Sequence, residues 1–166
     1  MKILKTFLLF LAFISAGNSF GQTKEETIAW LKEKFEKYLV SKEYTVEVIK
    51  DMKLVSIDAC SFTITSVGIR TNDSGEPHYY SNTFPTDIVS IQTDNAGKNG
   101  YFDYGKDEKG MDVKKVLCVY DGVKSYRSGD WVGIQLFFGG EENIRERIEK
   151  ALKHLATFCA KNKQAF

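Results

Sequence analysis

The sequence predicts an α+β fold in which seven antiparallel strands are flanked by two amphipathic helices. Three observations carry this expectation. Apolar residues recur at three- and four-residue spacing at Ile28, Leu31, Phe35, Tyr38 and Leu39, and again from Ile144 to Cys159. Between those stretches, Tyr44 to Phe138 breaks into short β-branched and aromatic runs. The runs are separated by turn chemistry such as Asn72-Asp-Ser-Gly75, Asp94-Asn-Ala-Gly97, Asp107-Glu-Lys-Gly110 and Asp121-Gly122.

The elements follow in order. Met1 to Lys5 is a short basic start, Thr6 to Ala16 is an apolar run too short to span a bilayer, and Ser19-Phe-Gly21 offers small residues for cleavage. Residues 1–21 therefore read as a signal peptide. Residues 22–43 are expected to hold a helix opened by a capping box, Thr23 with Glu26, whose apolar stripe docks on the outer face of a sheet. The seven strands are expected near Tyr44–Lys50, Leu54–Thr65, Tyr79–Phe84, Ile88–Thr93, Gly100–Tyr104, Lys114–Tyr120 and Trp131–Phe138, as a meander in which sequence neighbours pair. Gly139-Gly140 leads into a helix over roughly Glu141–Lys161, acidic at its start and basic at its end as the helix dipole favours, and residues 162–166 form a tail.

Composition narrows the function classes. Removal of the signal leaves 145 of 166 residues, enough for one domain with a core of its own. It also takes Lys2 and Lys5 from the 23 basic residues, leaving 21 against 22 acidic ones. Nothing in that balance suggests a nucleic acid or a strongly anionic membrane, which need clustered Lys and Arg. No cysteine precedes Cys60, so no lipid anchor is expected; the apolar run Thr6 to Ala16 is too short for a membrane span, and the mature chain reads as a periplasmic or secreted monomer.

A meander closed by one amphipathic helix resembles the pleckstrin-homology-like barrel, an orthogonal sandwich plugged by its terminal helix. The resemblance covers Tyr44 to Lys161. It is carried by Thr83-Phe-Pro-Thr-Asp-Ile88 with Val89-Ser-Ile-Gln92, by Trp131-Val-Gly-Ile-Gln-Leu-Phe-Phe138, and by the helix Arg145-Glu-Arg-Ile-Glu-Lys-Ala-Leu-Lys-His-Leu155. It implies the barrel and no binding residues. The basic cluster of phosphoinositide readers is reduced here to Lys50 and Lys53 beside Asp51. The leader, the first helix and the closing Lys153-His-Leu-Ala-Thr-Phe-Cys159 also resemble small secreted proteins of Bacteroidota-type bacteria, from which no activity carries over.

Few residues suggest chemistry. The two histidines, His78 in a turn and His154 on the last helix, read as surface histidines, and no Gly-x-Ser-x-Gly elbow is present. A calcium loop begun at Asn95 puts Lys106 where a bidentate glutamate is needed, so Asp94 to Asp107 reads as an ordinary hairpin. No catalytic residue, metal ligand or cofactor site is assigned.

Aromatic residues are the one feature that suggests recognition. Trp131, Phe137, Tyr79, Tyr80, Tyr101 and Tyr104 form a possible interaction patch, unless the first helix covers Trp131 and Phe137. Cys60, Cys118 and Cys159 are expected to face the core, either as three free thiols or with Cys60 and Cys159 bridged. The leading functional expectation is an exported, non-catalytic interaction module for an unidentified protein or peptide. The alternatives are a barrel carrying an apolar ligand and a hydrolase built on His78 or His154.

Overall fold

A computed structural model describes residues 23–43, 47–70, 75–129, 134–139 and 141–163. Helix α1 (Lys24–Tyr38) begins at the predicted capping box. Thr23 Oγ1 accepts the Glu26 N–H at 3.2 Å, and Glu26 Oε2 accepts the Thr23 N–H at 3.1 Å. Among the described residues nine strands follow: β1 (Lys42–Glu43), β2 (Glu47–Ile57), β3 (Ser61–Arg70), β4 (Pro77–Pro85), β5 (Ser90–Thr93), β6 (Asn99–Asp103), β7 (Val116–Tyr120), β8 (Val123–Arg127) and β9 (Leu136–Phe137). Helix α2 (Ile144–Lys163) closes the order.

The strands form two sheets, one of six strands in the order β1-β2-β3-β4-β7-β8 and one of three in the order β5-β6-β9, all paired antiparallel. The α+β class of the sequence reading holds, but the simple meander does not. The β5–β6 hairpin leaves the large sheet between β4 and β7, and among the described residues no ladder closes the two sheets into a barrel. Three strand boundaries also differ. Lys50 to Lys53 is no turn but an irregularity within β2, where the register shifts and Asp51 has φ 53°. The real turn is at Asp58, whose Oδ1 accepts the N–H groups of Cys60 and Ser61 at 2.7 and 2.9 Å. Strand β8 had no burial alternation to announce it, because four of its five residues are exposed. The predicted last strand survives only as Leu136–Phe137, and Trp131 to Gly133 lie outside the described residues.

The inner faces of the sheets meet in an aromatic core. Phe62 of β3 and Phe84 of β4 are register partners whose rings stack at 5.0 Å, and Phe102 of β6 packs 5.3 Å from each. Helix α1 is part of this core and not a cover for an outer face, as Phe35 stacks on Phe62 at 5.1 Å. Its stripe of Leu31, Phe35 and Tyr38 is buried between the sheets, with Phe35 also edge-on to Phe102 of β6 at 6.3 Å. Helix α2 buries Ile144, Ile148, Ala151, Leu152 and Leu155 in the same cluster.

Polar side chains anchor both helices. Arg145 donates to the Ile91 carbonyl and Glu149 accepts the Ile91 N–H, both at 3.1 Å, so one turn of α2 satisfies the free edge of β5. Glu141, just ahead of α2, takes hydrogen bonds from Lys37 (2.6 Å) and Tyr38 of α1. Cys60, in the β2–β3 turn, is joined to Cys159 near the end of α2, with Cα atoms 4.8 Å apart and a sequence separation of 99. Cys60 is exposed, contrary to the expectation that all three cysteines face the core, because the Asp58 turn carries it off the strand. Cys118 is the buried free thiol.

Candidate functional site

The small sheet turns its polar face toward a cleft. Along β5 and β6 the inward positions are Ile91, Gly100 and Phe102, so Gln92 and Tyr101, register partners, lie on the opposite face beside Asp103. There a cleft of about 420 Å³ opens, with Thr93, Tyr101, Asp103, Lys106, Asp112 and Ser128 among its lining residues. That size falls within the range of small-molecule sites.

Each wall is fixed locally. The Asp103 carboxylate accepts the Gly105 N–H at 2.7 Å, the Gln92 side-chain amide at 2.9 Å and the Ser90 hydroxyl at 3.3 Å. Those bonds, with nearby Lys106, outweigh partial burial and hold Asp103 below the usual carboxylate range. The 105–113 loop is tied by Asp107 Oδ1, which accepts the N–H groups of Lys109 and Met111, both at 2.9 Å. Lys106 and Asp112 pair across it at 3.7 Å. Gly129 is required on the far wall, since any Cβ there would overlap the Phe102 carbonyl.

Two of the six expected patch residues line this cleft. Tyr101 meets the side-chain amide of Gln135. Tyr104 is buried with its hydroxyl donated to the Pro85 carbonyl at 3.1 Å, and burial pushes its ionisation upward. The other members do not line it. Tyr79 and Tyr80 lie on opposite faces of β4 in the large sheet, Phe137 is exposed on β9, and Trp131 lies outside the described residues. The described members therefore do not form one patch: Tyr79 and Tyr80 belong to the other sheet and to opposite faces of it, whereas Phe137, register partner of Asn99, shares the outer face of the small sheet with Tyr101. Gln92, Thr93, Lys106, Asp112 and Ser128 were missed by the sequence reading, because a cleft assembled from three segments leaves no local pattern.

The second cluster lies at the far end of the large sheet's inner face. His78 Nδ1 is 2.8 Å from both Asp121 Oδ2 and the Tyr120 hydroxyl, and Tyr80 donates to Glu47 Oε1 at 2.6 Å. Gly68 makes room for this crossing, as a Cβ there would collide with Glu47 and the Tyr80 ring. Asp121 is held below the usual range by the Tyr79 N–H and then by His78, whereas burial and Glu47 push Tyr80 upward. His78 is thus not the surface histidine the sequence suggested, its side chain being only 21% exposed. His154 is half-buried as well, with its ring edge-on to Phe158 at 5.1 Å. Pairing across strands and a helical i+4 contact explain both corrections.

Asp94 closes a hairpin, as expected. Its carboxylate accepts the Lys98 N–H and the Asn99 side-chain amide at 2.9 and 2.5 Å, bracing the β5–β6 turn. Among the described residues there is no group of three or more potential metal ligands, and no helix is long and apolar enough to cross a membrane. No family model matches the chain, and searches of curated proteins and of solved structures likewise return no match.

Proposed function

We propose that this chain is an exported, monomeric, non-catalytic binding module that holds a small polar ligand in the cleft beside β6. The cleft carries the reading. Its walls offer hydroxyl, amide, carboxylate and ammonium groups on braced backbone, as a site for a hydrogen-bonding ligand does. Its described lining contains neither histidine nor cysteine, and His78 with Asp121 lies on the other sheet, so no reaction is assigned. Export is supported by the leader pattern and by the Cys60–Cys159 bridge, which suits an oxidising compartment. The relation to the pleckstrin-homology-like superfold belongs to the same proposal, supported by two facing sheets and a terminal helix. An apolar ligand held between the sheets is not favoured, because Phe35, Phe62, Phe84 and Phe102 fill that space.

The test is a fragment screen by NMR on the mature protein, using sugars, amino acids and nucleosides. We expect saturable amide shifts at Thr93, Lys106 and Asp112, abolished by Thr93→Trp, which fills the cleft from its exposed rim. Shifts centred elsewhere, or none from any class, would remove the reading.

A further inference from the structure

The four sheet edges are finished differently. β1 and β9 are two residues long, and β9 is further occupied by a bridge between Leu39 and Leu136. The β5 edge is satisfied at Ile91 by Arg145 and Glu149. Only β8, among the described edges, is both five residues long and open. Val123 and Tyr126 are 68% and 63% exposed there, and Lys124 and Arg127 are exposed beside them.

The register fixes which backbone groups of β8 are free. The hairpin loop Asp121-Gly122 has positive φ at both residues, 44° and 86°, as a type I′ turn requires, so Tyr120 and Val123 form a hydrogen-bonded pair. Alternation then turns Ser125 and Arg127 toward β7, and Lys124 and Tyr126 outward. An independent bond agrees: the Asp121 N–H donates to the Tyr79 carbonyl of β4 at 3.1 Å, which leaves Tyr120, Cys118 and Val116 to face β8. Lys124 and Tyr126 therefore present two donors and two acceptors on an edge that no described strand pairs.

The charge on this edge selects among occupants. Lys124 and Arg127 lie on β8, and Lys114 stands just before Val116, the partner of Arg127. None of the three forms an ion pair among the described residues, whereas Lys115 is matched by Asp87 at 2.7 Å. A lysine-bearing edge disfavours pairing with a like strand and favours an acidic one. We propose that β8 is a strand-addition site for an extended acidic segment of a partner protein, bound antiparallel or parallel through the outward groups of Lys124 and Tyr126. The site is separate from the cleft and stands whether or not the cleft binds a ligand.

A blocked heptapeptide of alternating glutamate and valine is the probe, with alternating lysine and valine as its charge control. NMR titration of the mature protein should shift the amides of Lys124 and Tyr126 and slow their hydrogen exchange, with the acidic peptide binding at least tenfold tighter. Lys124→Pro removes one outward donor and leaves the β7 ladder intact, so it should abolish binding. Should that variant misfold, Lys124→Glu with Arg127→Glu keeps the backbone and should reverse the peptide preference. Equal binding of both peptides, shifts confined to other residues, or peptide-independent dimerisation through β8 would each overturn the proposal.

Discussion

The two faces of the large sheet come from the same strands and have opposite fates. On β3 and β4 the inner positions are Phe62, Ile64 and Phe84, all inaccessible to water, whereas the outer ones are Thr63, Thr65, Ser81 and Thr83, half-buried against one another. The outer face holds itself with short polar links, such as Thr63 to Thr83 at 3.0 Å, and among the described residues both helices pack on the inner side. Both helices and the small sheet crowd the inner face. An antiparallel sheet tolerates this because one wet face costs it nothing in backbone hydrogen bonds. The difference shows that, among the described residues, the apolar packing is concentrated on one side of the sheet.

The sharpest way to break the comparison is to mutate register neighbours. Phe62→Ala empties the centre of the phenylalanine cluster, where three rings lie within 5.3 Å, and should cost about 3–5 kcal/mol. Thr63→Ala, one residue along on the outer face, should stay within about 1 kcal/mol. Denaturant unfolding of the two variants measures the contrast, and equal losses would mean that the outer face is also packed.

The next effect concerns how the inner face stays covered. The Cys60–Cys159 bridge ties the end of α2 to the β2–β3 turn across 99 residues, and on chain-entropy grounds such a link is worth about 2–4 kcal/mol, at most about 4.7. Cys159→Ser should lower the unfolding free energy by that amount and raise hydrogen exchange in the last turns of α2 before β3 or β4 responds. Cys118 should remain unreactive to alkylation in the folded protein, since burial pushes its thiol's pKa up and keeps it protonated.

Much of this division was legible in the sequence, and the limits have physical causes. The capping box at Thr23, the stripe of α1 and the alternation of Phe62 and Ile64 are local patterns read over a few residues. The destination of the α1 stripe was misread, because an apolar stripe records that it is buried and not which layer buries it. Strand β8 was missed for the reason that makes it interesting: an edge exposed on both faces has no alternation. The cleft was invisible because Thr93, Asp112 and Ser128 meet only after the chain has folded. The cysteine pair was legible as one alternative, since parity and helical stripe placed Cys60 and Cys159 near one another but could not choose between a bridge and free thiols.

A smaller effect sharpens the contrast between the two sheet edges. Glu149→Ala removes the acceptor for the Ile91 N–H and should cost about 1.5–3 kcal/mol, the range for a hydrogen bond to a charged group. Its local signature is faster exchange of the Ile91 amide. If exchange there is unchanged, water replaces the helix side chain without loss, and β5 is no better protected than β8.

The smallest effect is a matter of pH. Glu141 faces Lys34, Lys37, Tyr38 and Arg147, and hydrogen bonds from Lys37 and Tyr38 outweigh the other influences, holding its carboxyl at about 2 against an ordinary value of 4.5. A lowered folded-state value means the group stabilises the α1–α2 contact fully above pH 4.5, and that the contribution fades as pH falls from 4.5 toward 2. Asp94, Asp103, Asp121, Glu146 and Glu149 are lowered too, so wild-type acid sensitivity alone does not isolate this clamp. Glu141→Gln does. The variant should be less stable than wild type at pH 7, and the gap should close between pH 4.5 and 2 as the wild-type carboxyl takes up its proton. A gap that stays constant across that window would show that Glu141 acts through packing and not through its charge. In that case the α1–α2 contact is held by apolar packing, while the disulfide and the Arg145 and Glu149 bonds to Ile91 still tie α2 to the sheets.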